Sequence, residues 1–153
     1  TDSNNLVDYI NNTDCAYEIV MLGEDGIKLL FKTIGELVKY DAIIVNMDSN
    51  IEKMTLDIID LAKKVVFVGS GTLNSNNCIV NNLDIIRKHD NTTEKTNIDK
   101  VNILYNKFVN RNCTMLSLND VSVIGNIGII KEKTEIKVTE SMSKMTLFGQ
   151  IIE

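Results

Sequence analysis

The stretch Tyr40–Ser70, YDAIIVNMDSNIEKMTLDIIDLAKKVVFVGS, decides the fold class. Ala42–Val45 (AIIV) is continuous, apolar, rich in β-branched residues and too short for a helix. Such a run is read as a strand apolar on both faces, which needs helices above and below it, as in a parallel sheet. Ser49 followed by Glu52 has capping-box spacing and predicts a helix with Ile51, Met54, Ile58, Ile59 and Ala62 inward. Val65–Val68 (VVFV) is a second buried strand, closed by Gly69-Ser70-Gly71. Strand, helix and strand in this order make one βαβ unit.

The alternation extends in both directions. Tyr17–Leu22 (YEIVML), ending at Gly23, is predicted as a strand. Ile27, Leu30, Phe31, Ile34, Leu37 and Val38 repeat at spacings of three and four, one face of an amphipathic helix. Beyond Ser70, a third helix is marked by Ile79, Val80, Leu83 and Ile86, and the polar stretch His89–Asn97 is read as an exposed loop. Val101–Tyr105 (VNILY) and Val121–Ile127 (VSVIGNI) are strand-like, the segment Asn110–Asn119 has no clear pattern, and Val138, Met142, Met145 and Ile152 predict a C-terminal helix. The expectation is an α/β fold of about five strands and four helices in a three-layer, doubly wound, mostly parallel sheet.

Composition bounds the function. The 153 residues are 44% hydrophobic and 24% charged, the profile of one globular domain. No apolar run approaches the length of a membrane span. A net charge of −5 argues against a dedicated nucleic-acid surface. Cys15, Cys78 and Cys113 are widely spaced and His89 is the single histidine, so no zinc-ligand pattern exists and reduced cysteines in a cytoplasmic protein are expected. The chain begins at Thr1 without an initiator Met or a signal-peptide pattern, which is read as a processed or trimmed piece of something longer.

Ligands of open α/β sheets bind at the carboxyl ends of the strands. The loops there, Asn46–Asn50, Gly69–Leu73, Asn106–Arg111 and Gly128–Lys133, hold polar residues but no activated nucleophile. Neither GxGxxG nor GxxxxGK[ST] occurs. Gly69-Ser70-Gly71-Thr72 has the form of an anion-binding turn ahead of a helix, and an ordinary strand-to-helix turn accounts for it as well. Asp48 has the place of a magnesium or water-positioning acid, and equally of a helix-capping residue.

The order of these segments resembles the MinD/ParA superfamily of P-loop ATPases. Tyr40-Asp41-Ala-Ile-Ile-Val-Asn46-Met-Asp48 is similar to the Walker B strand of that superfamily, and Lys64–Ser70 to the strand that follows it. Val101–Lys107 (VNILYNK) resembles the strand whose Asn contacts adenine, and Val121–Lys131 (VSVIGNIGIIK) the strand and loop that close over the base. The likeness spans about Tyr17–Glu153, and its flavour is nearest the TadZ/CpaE branch, which helps place pilus and secretion machinery at cell poles.

The resemblance implies a single α/β domain over 1–153, itself part of a larger ATPase domain. It implies Asn106 and Lys107 as nucleotide contacts, Ile129, Ile130 and Lys131 lining the base, and Asn46 and Asp48 on the magnesium side. ATP with Mg is implied only where an upstream Walker A segment completes the site. The lysine-bearing phosphate loop is missing here, Asn46 stands where the superfamily has its Walker B aspartate, and Ile130 replaces the proline of the adenine loop. The implied role is a bacterial, cytoplasmic positioning or scaffold factor that forms homodimers and meets partners of a cell-pole or membrane-associated machine, with no autonomous hydrolysis. Two readings stand beside it. One is a receiver-like interaction domain using Asp48 as phospho-acceptor, with Gly23-Glu24-Asp25 as a partial acidic pair. The other is a trimmed conventional partitioning ATPase.

Overall fold

The computed structural model describes residues 17–37, 40–109 and 111–128. The chain divides into two compact units, Thr1–Tyr40 and Asp41–Glu153.

In the first unit, α1 spans Tyr17–Leu37 and is interrupted at Gly23, whose φ of 60° and ψ of −175° lie outside the helical region. The strand expected at Tyr17–Leu22 is therefore helical. A six-residue apolar run does not distinguish a strand from a helix segment, and the glycine read as a strand end is a break between two helical pieces. Of the expected amphipathic face C-terminal to it, Ile27 is buried and Phe31 and Ile34 are half-buried, while Leu30 is exposed. Lys28 pairs with Glu24, and Lys32 with Glu36 at 3.8 Å, both at i,i+4 spacing.

The second unit is α/β. Helix α2 (Lys53–Leu61) leads to β1 (Val65–Gly69), then α3 (Leu73–Thr93), a 3₁₀ turn at Asn97–Lys100, β2 (Val101–Asn106) and β3 (Ser122–Ile127). The three strands are all parallel, in the order β1-β2-β3. The register pairs Val65 with Val101 and Gly69 with Tyr105 on one side of β2. On the other side, Ile103 pairs with Val123 and Leu104 with Gly125. The skipped Ile124 makes a bulge, which adds local twist at Gly125.

Alternation along β2 sends Val101, Ile103 and Tyr105 to one face. There they join Ile79, Leu83 and Ile86 of α3, Ile59 of α2, and Val121 in one buried cluster. Helices α2 and α3 thus cover the same face of the sheet.

Four expectations are corrected. Among the described residues the sheet has three strands, and Ala42–Val45 is in none of them. Ile43, Ile44 and Val45 are exposed, Ile44 by 86%, because a β-branched run becomes a strand only where a neighbouring ladder accepts its backbone groups. Second, α2 starts later than Ser49. Glu52 is its N-cap residue, and Thr55 Oγ1 accepts from Glu52 N at 3.4 Å while donating to Asn50 O at 3.1 Å. Third, α3 continues through the stretch read as a loop and ends at Glu94 in the left-handed conformation, φ 55° and ψ 36°. Fourth, no described residue between β2 and β3 is helical, so strict alternation of strand and helix fails there. The predicted C-terminal helix lies outside the described residues.

Candidate functional site

The carboxyl edge of the sheet holds Gly69–Thr72, Asn106 and Lys107 of the residues singled out by sequence. Strand β1 ends at Gly69, and the turn to α3 runs through Ser70, Gly71 and Thr72. Thr72 is the N-cap of α3, and its side chain accepts from Ser75 N at 3.4 Å. Ser75 in turn accepts from Ser70 N at 3.0 Å, and the Ser70 and Thr72 hydroxyls lie 3.1 Å apart. These bonds satisfy backbone donors that a helix N-terminus otherwise leaves open.

Gly71 has φ of 80°. A Cβ there would stand 2.6 Å from Phe108 Cε2 and 3.0 Å from Cys113 Cβ. The chain after β2 therefore lies directly on the turn. Thr114 N donates to Gly71 O at 2.8 Å, and Asn76 Nδ2 donates to Thr114 O at 2.8 Å. The buried Tyr105 hydroxyl donates to Asn76 Oδ1 at 3.1 Å and accepts from Leu116 N at 2.9 Å. The Tyr105 and Phe108 rings meet at 5.6 Å between centroids, tilted by 56°, a favourable edge-to-face type of contact. Of the two sequence readings of Gly69–Thr72, this geometry fits the ordinary, internally capped turn. The space a side chain at Gly71 would take is filled by Phe108 and Cys113.

Asn106 and Lys107 emerge at the carboxyl end of β2, exposed, beside that covered turn. Asn106 Oδ1 accepts from Lys107 N at 2.8 Å, and Lys107 is held at φ 55°. Phe108 N then donates to Ile127 O at 3.2 Å, which turns the chain back toward β3. Asn46 and Asp48 are exposed and outside the sheet. Asp48 Oδ1 accepts from Asn50 N at 2.9 Å, a local turn rather than the helix cap considered from sequence. No hydrogen bond or ion pair links Asn46 or Asp48 to Asn106 or Lys107. Ile129, Ile130 and Lys131 lie outside the described residues.

The donor set does not fit a magnesium ion. Asn46 is neutral, one Asp48 oxygen is engaged by the backbone, and no group of three His, Cys, Asp or Glu among the described residues is placed to hold a metal.

A second polar constellation, missed by sequence reasoning, lies beyond the other ends of the strands. Asp60, near the end of α2, accepts from His89 Nε2 at 3.1 Å, from Asn97 Nδ2 at 2.6 Å, and from Lys95 Nζ. Asp90 accepts from Asn97 Nδ2 and from Ile98 N, both at 2.8 Å. Lys100 Nζ donates to Asn97 Oδ1 at 2.9 Å and to Asp60 O at 3.3 Å. Burial by itself would raise the Asp60 carboxyl, but hydrogen bonds from Lys95, Asn97 and His89 and the charge of His89 outweigh it, so its pKa lies below the usual carboxylate range. Asp90 and Asn97 are buried yet fully bonded. Their polarity suggested an exposed loop, and the network is what lets them go inside.

Among the described residues no helix is long and apolar enough to cross a membrane. No protein-family model matches the chain, and no curated protein matches it.

Proposed function

We propose that this chain carries the carboxyl-terminal half of a MinD/ParA-like ATPase fold and serves in placing or assembling a pilus or secretion machine, in the manner of the TadZ/CpaE branch. It does so without hydrolysing ATP by itself. The observation that carries this reading is the composition of the carboxyl edge. Asn106 and Lys107 stand exposed at the end of β2, where a base-type contact belongs, while the adjacent glycine turn is filled by Phe108 and Cys113. Polar side chains are thus offered to a ligand beside a turn whose glycine is packed over by the chain that follows β2. The parallel β1-α3-β2 unit and the order of the Asn46, Asn106 and Gly125 segments support the same reading.

On this reading the work is done by association, between two copies and with partners of a cell-pole or membrane-associated machine in the bacterial cytoplasm. ATP enters only where an upstream Walker A segment completes the site; there it governs association, with the Asn106 side over its base. The test is phosphate release from ATP, measured with the chain and with its Asn106→Ala and Asp48→Ala variants. No release above the protein-free blank is expected from any of them. A rate that survives both substitutions would overturn the assignment, and a phosphoryl mass increment on Asp48 after acetyl phosphate treatment would replace it with the receiver-like reading.

A further inference from the structure

The second unit contains an apolar, strand-forming segment that is in no strand, and a sheet edge that has no neighbour among the described residues. Ala42–Val45 lies outside every helix and ladder, with Ile43, Ile44 and Val45 exposed by 45%, 86% and 42%. Strand β1 is the edge of the sheet, paired only with β2 among the described residues, and its Val68 is 62% exposed. Long apolar side chains at an open edge are the condition natural sheets avoid by pairing or covering that edge.

The topology says where the segment belongs. From β1 the chain crosses through α3 to β2, one step along the sheet. From Ala42–Val45 it crosses through α2 to β1, and Ile59 of α2 shares its cluster with Ile79, Leu83 and Ile86 of α3. Two right-handed crossovers with helices on one face advance in the same direction. A segment two steps before β2 therefore falls on the far side of β1, at the open edge. Downstream of the segment the chain is already tied to α3 and α2. Asn82 Nδ2, from the buried face of α3, donates to Ser49 O at 2.8 Å, and Thr55 holds Asn50 O.

We infer that Ala42–Asn46 is a latent fourth strand, a strap that closes in parallel on the open edge of β1 to give the order 42–46, β1, β2, β3. Closure pairs β-branched residues with the unpaired donors and acceptors of Val65–Gly69. Because a parallel strand ends at the same edge as Gly69, closure also carries Asn46 and Asp48 to the carboxyl edge beside the Ser70–Thr72 turn. The two parts of the candidate site then meet.

The test uses the 153-residue chain with Cys15, Cys78 and Cys113 changed to Ser. Ile43→Cys or Ile44→Cys is combined in turn with Val66→Cys or Val68→Cys, since adjacent strands lie within disulfide reach. At least one combination is expected to give an intramolecular disulfide, migrating as a monomer on a non-reducing gel. Hydrogen exchange on the unsubstituted chain gives a second readout that needs no substitution. Amides 43–46 should exchange at least about 10-fold more slowly than in an unstructured peptide of the same sequence. Exchange at the peptide rate together with no monomeric cross-link would overturn the inference. So would cross-links found only between two chains, which would mean strand exchange between copies.

Discussion

Asp60 ties three segments of the second unit together. Its carboxyl receives His89 from α3, Lys95 from the turn after it, and Asn97 from the 3₁₀ turn. Because its folded pKa lies below the unfolded value, the unfolded chain binds more protons once pH drops into the carboxylate range. The stabilisation is therefore present above the unfolded value and is lost as pH falls through the folded one. Urea midpoints measured from pH 7 downward should fall as pH drops below about 5. Asp60→Asn should lower stability at pH 7 by about 1–3 kcal/mol, since it removes the charge and sets an amide NH2 against donors that one carboxylate oxygen now accepts. It should also flatten the acid limb, and an unchanged limb would show that other carboxylates carry it. At Gly71 the constraint is steric. Ala there must take φ near 80° with its Cβ against Phe108, a cost of about 1–3 kcal/mol. The midpoint should drop accordingly, and trypsin should cut faster after Arg111 as the overlying segment loosens.

At the scale of elements, the connection from β2 to β3 is held down by one tyrosine. Tyr105 closes a chain of bonds from β2 through Asn76 of α3 to Thr114, and it also anchors Leu116 N. Tyr105→Phe keeps the ring and its contact with Phe108 but leaves Asn76 Oδ1 and Leu116 N without a partner, at a cost of about 1–3 kcal/mol. Amide exchange should accelerate at Thr114 and Leu116 while the ladder of β1 with β2 is unchanged. Uniform acceleration across the sheet would instead make Tyr105 a general core residue. At the outer end of the same connection, Arg87 holds Asp120 with two bonds, Nε at 2.9 Å and Nη2 at 3.0 Å, and Asp84 through Nη1 at 2.6 Å. Hydrogen bonding to Asp120 holds the Arg87 guanidinium above its ordinary range. This pair is solvent-accessible, so Asp120→Ala should shift stability by less than about 1 kcal/mol, read from the urea midpoint at low and high salt.

At the scale of the whole molecule, three strands, VVFVG, VNILYN and SVIGNI, were legible in the sequence. So was the amphipathic face of α3, because short apolar, β-branched runs read as strands and helical packing as a 3.6-residue period. The position of Asn106 and Lys107 at the carboxyl end of a strand was legible from the apolar run before them. What the sequence by itself determined was therefore which segments are apolar and with what period. Only the tertiary structure decided which of them pair. YEIVML is helical and AIIV lies outside the sheet, because a strand is defined by hydrogen bonds to a neighbour and no single segment encodes its neighbour. Only the structure, likewise, put His89, Asp90 and Asn97 inside, because a polar residue is buried when its partners from distant positions converge on it, and that convergence is absent from local composition.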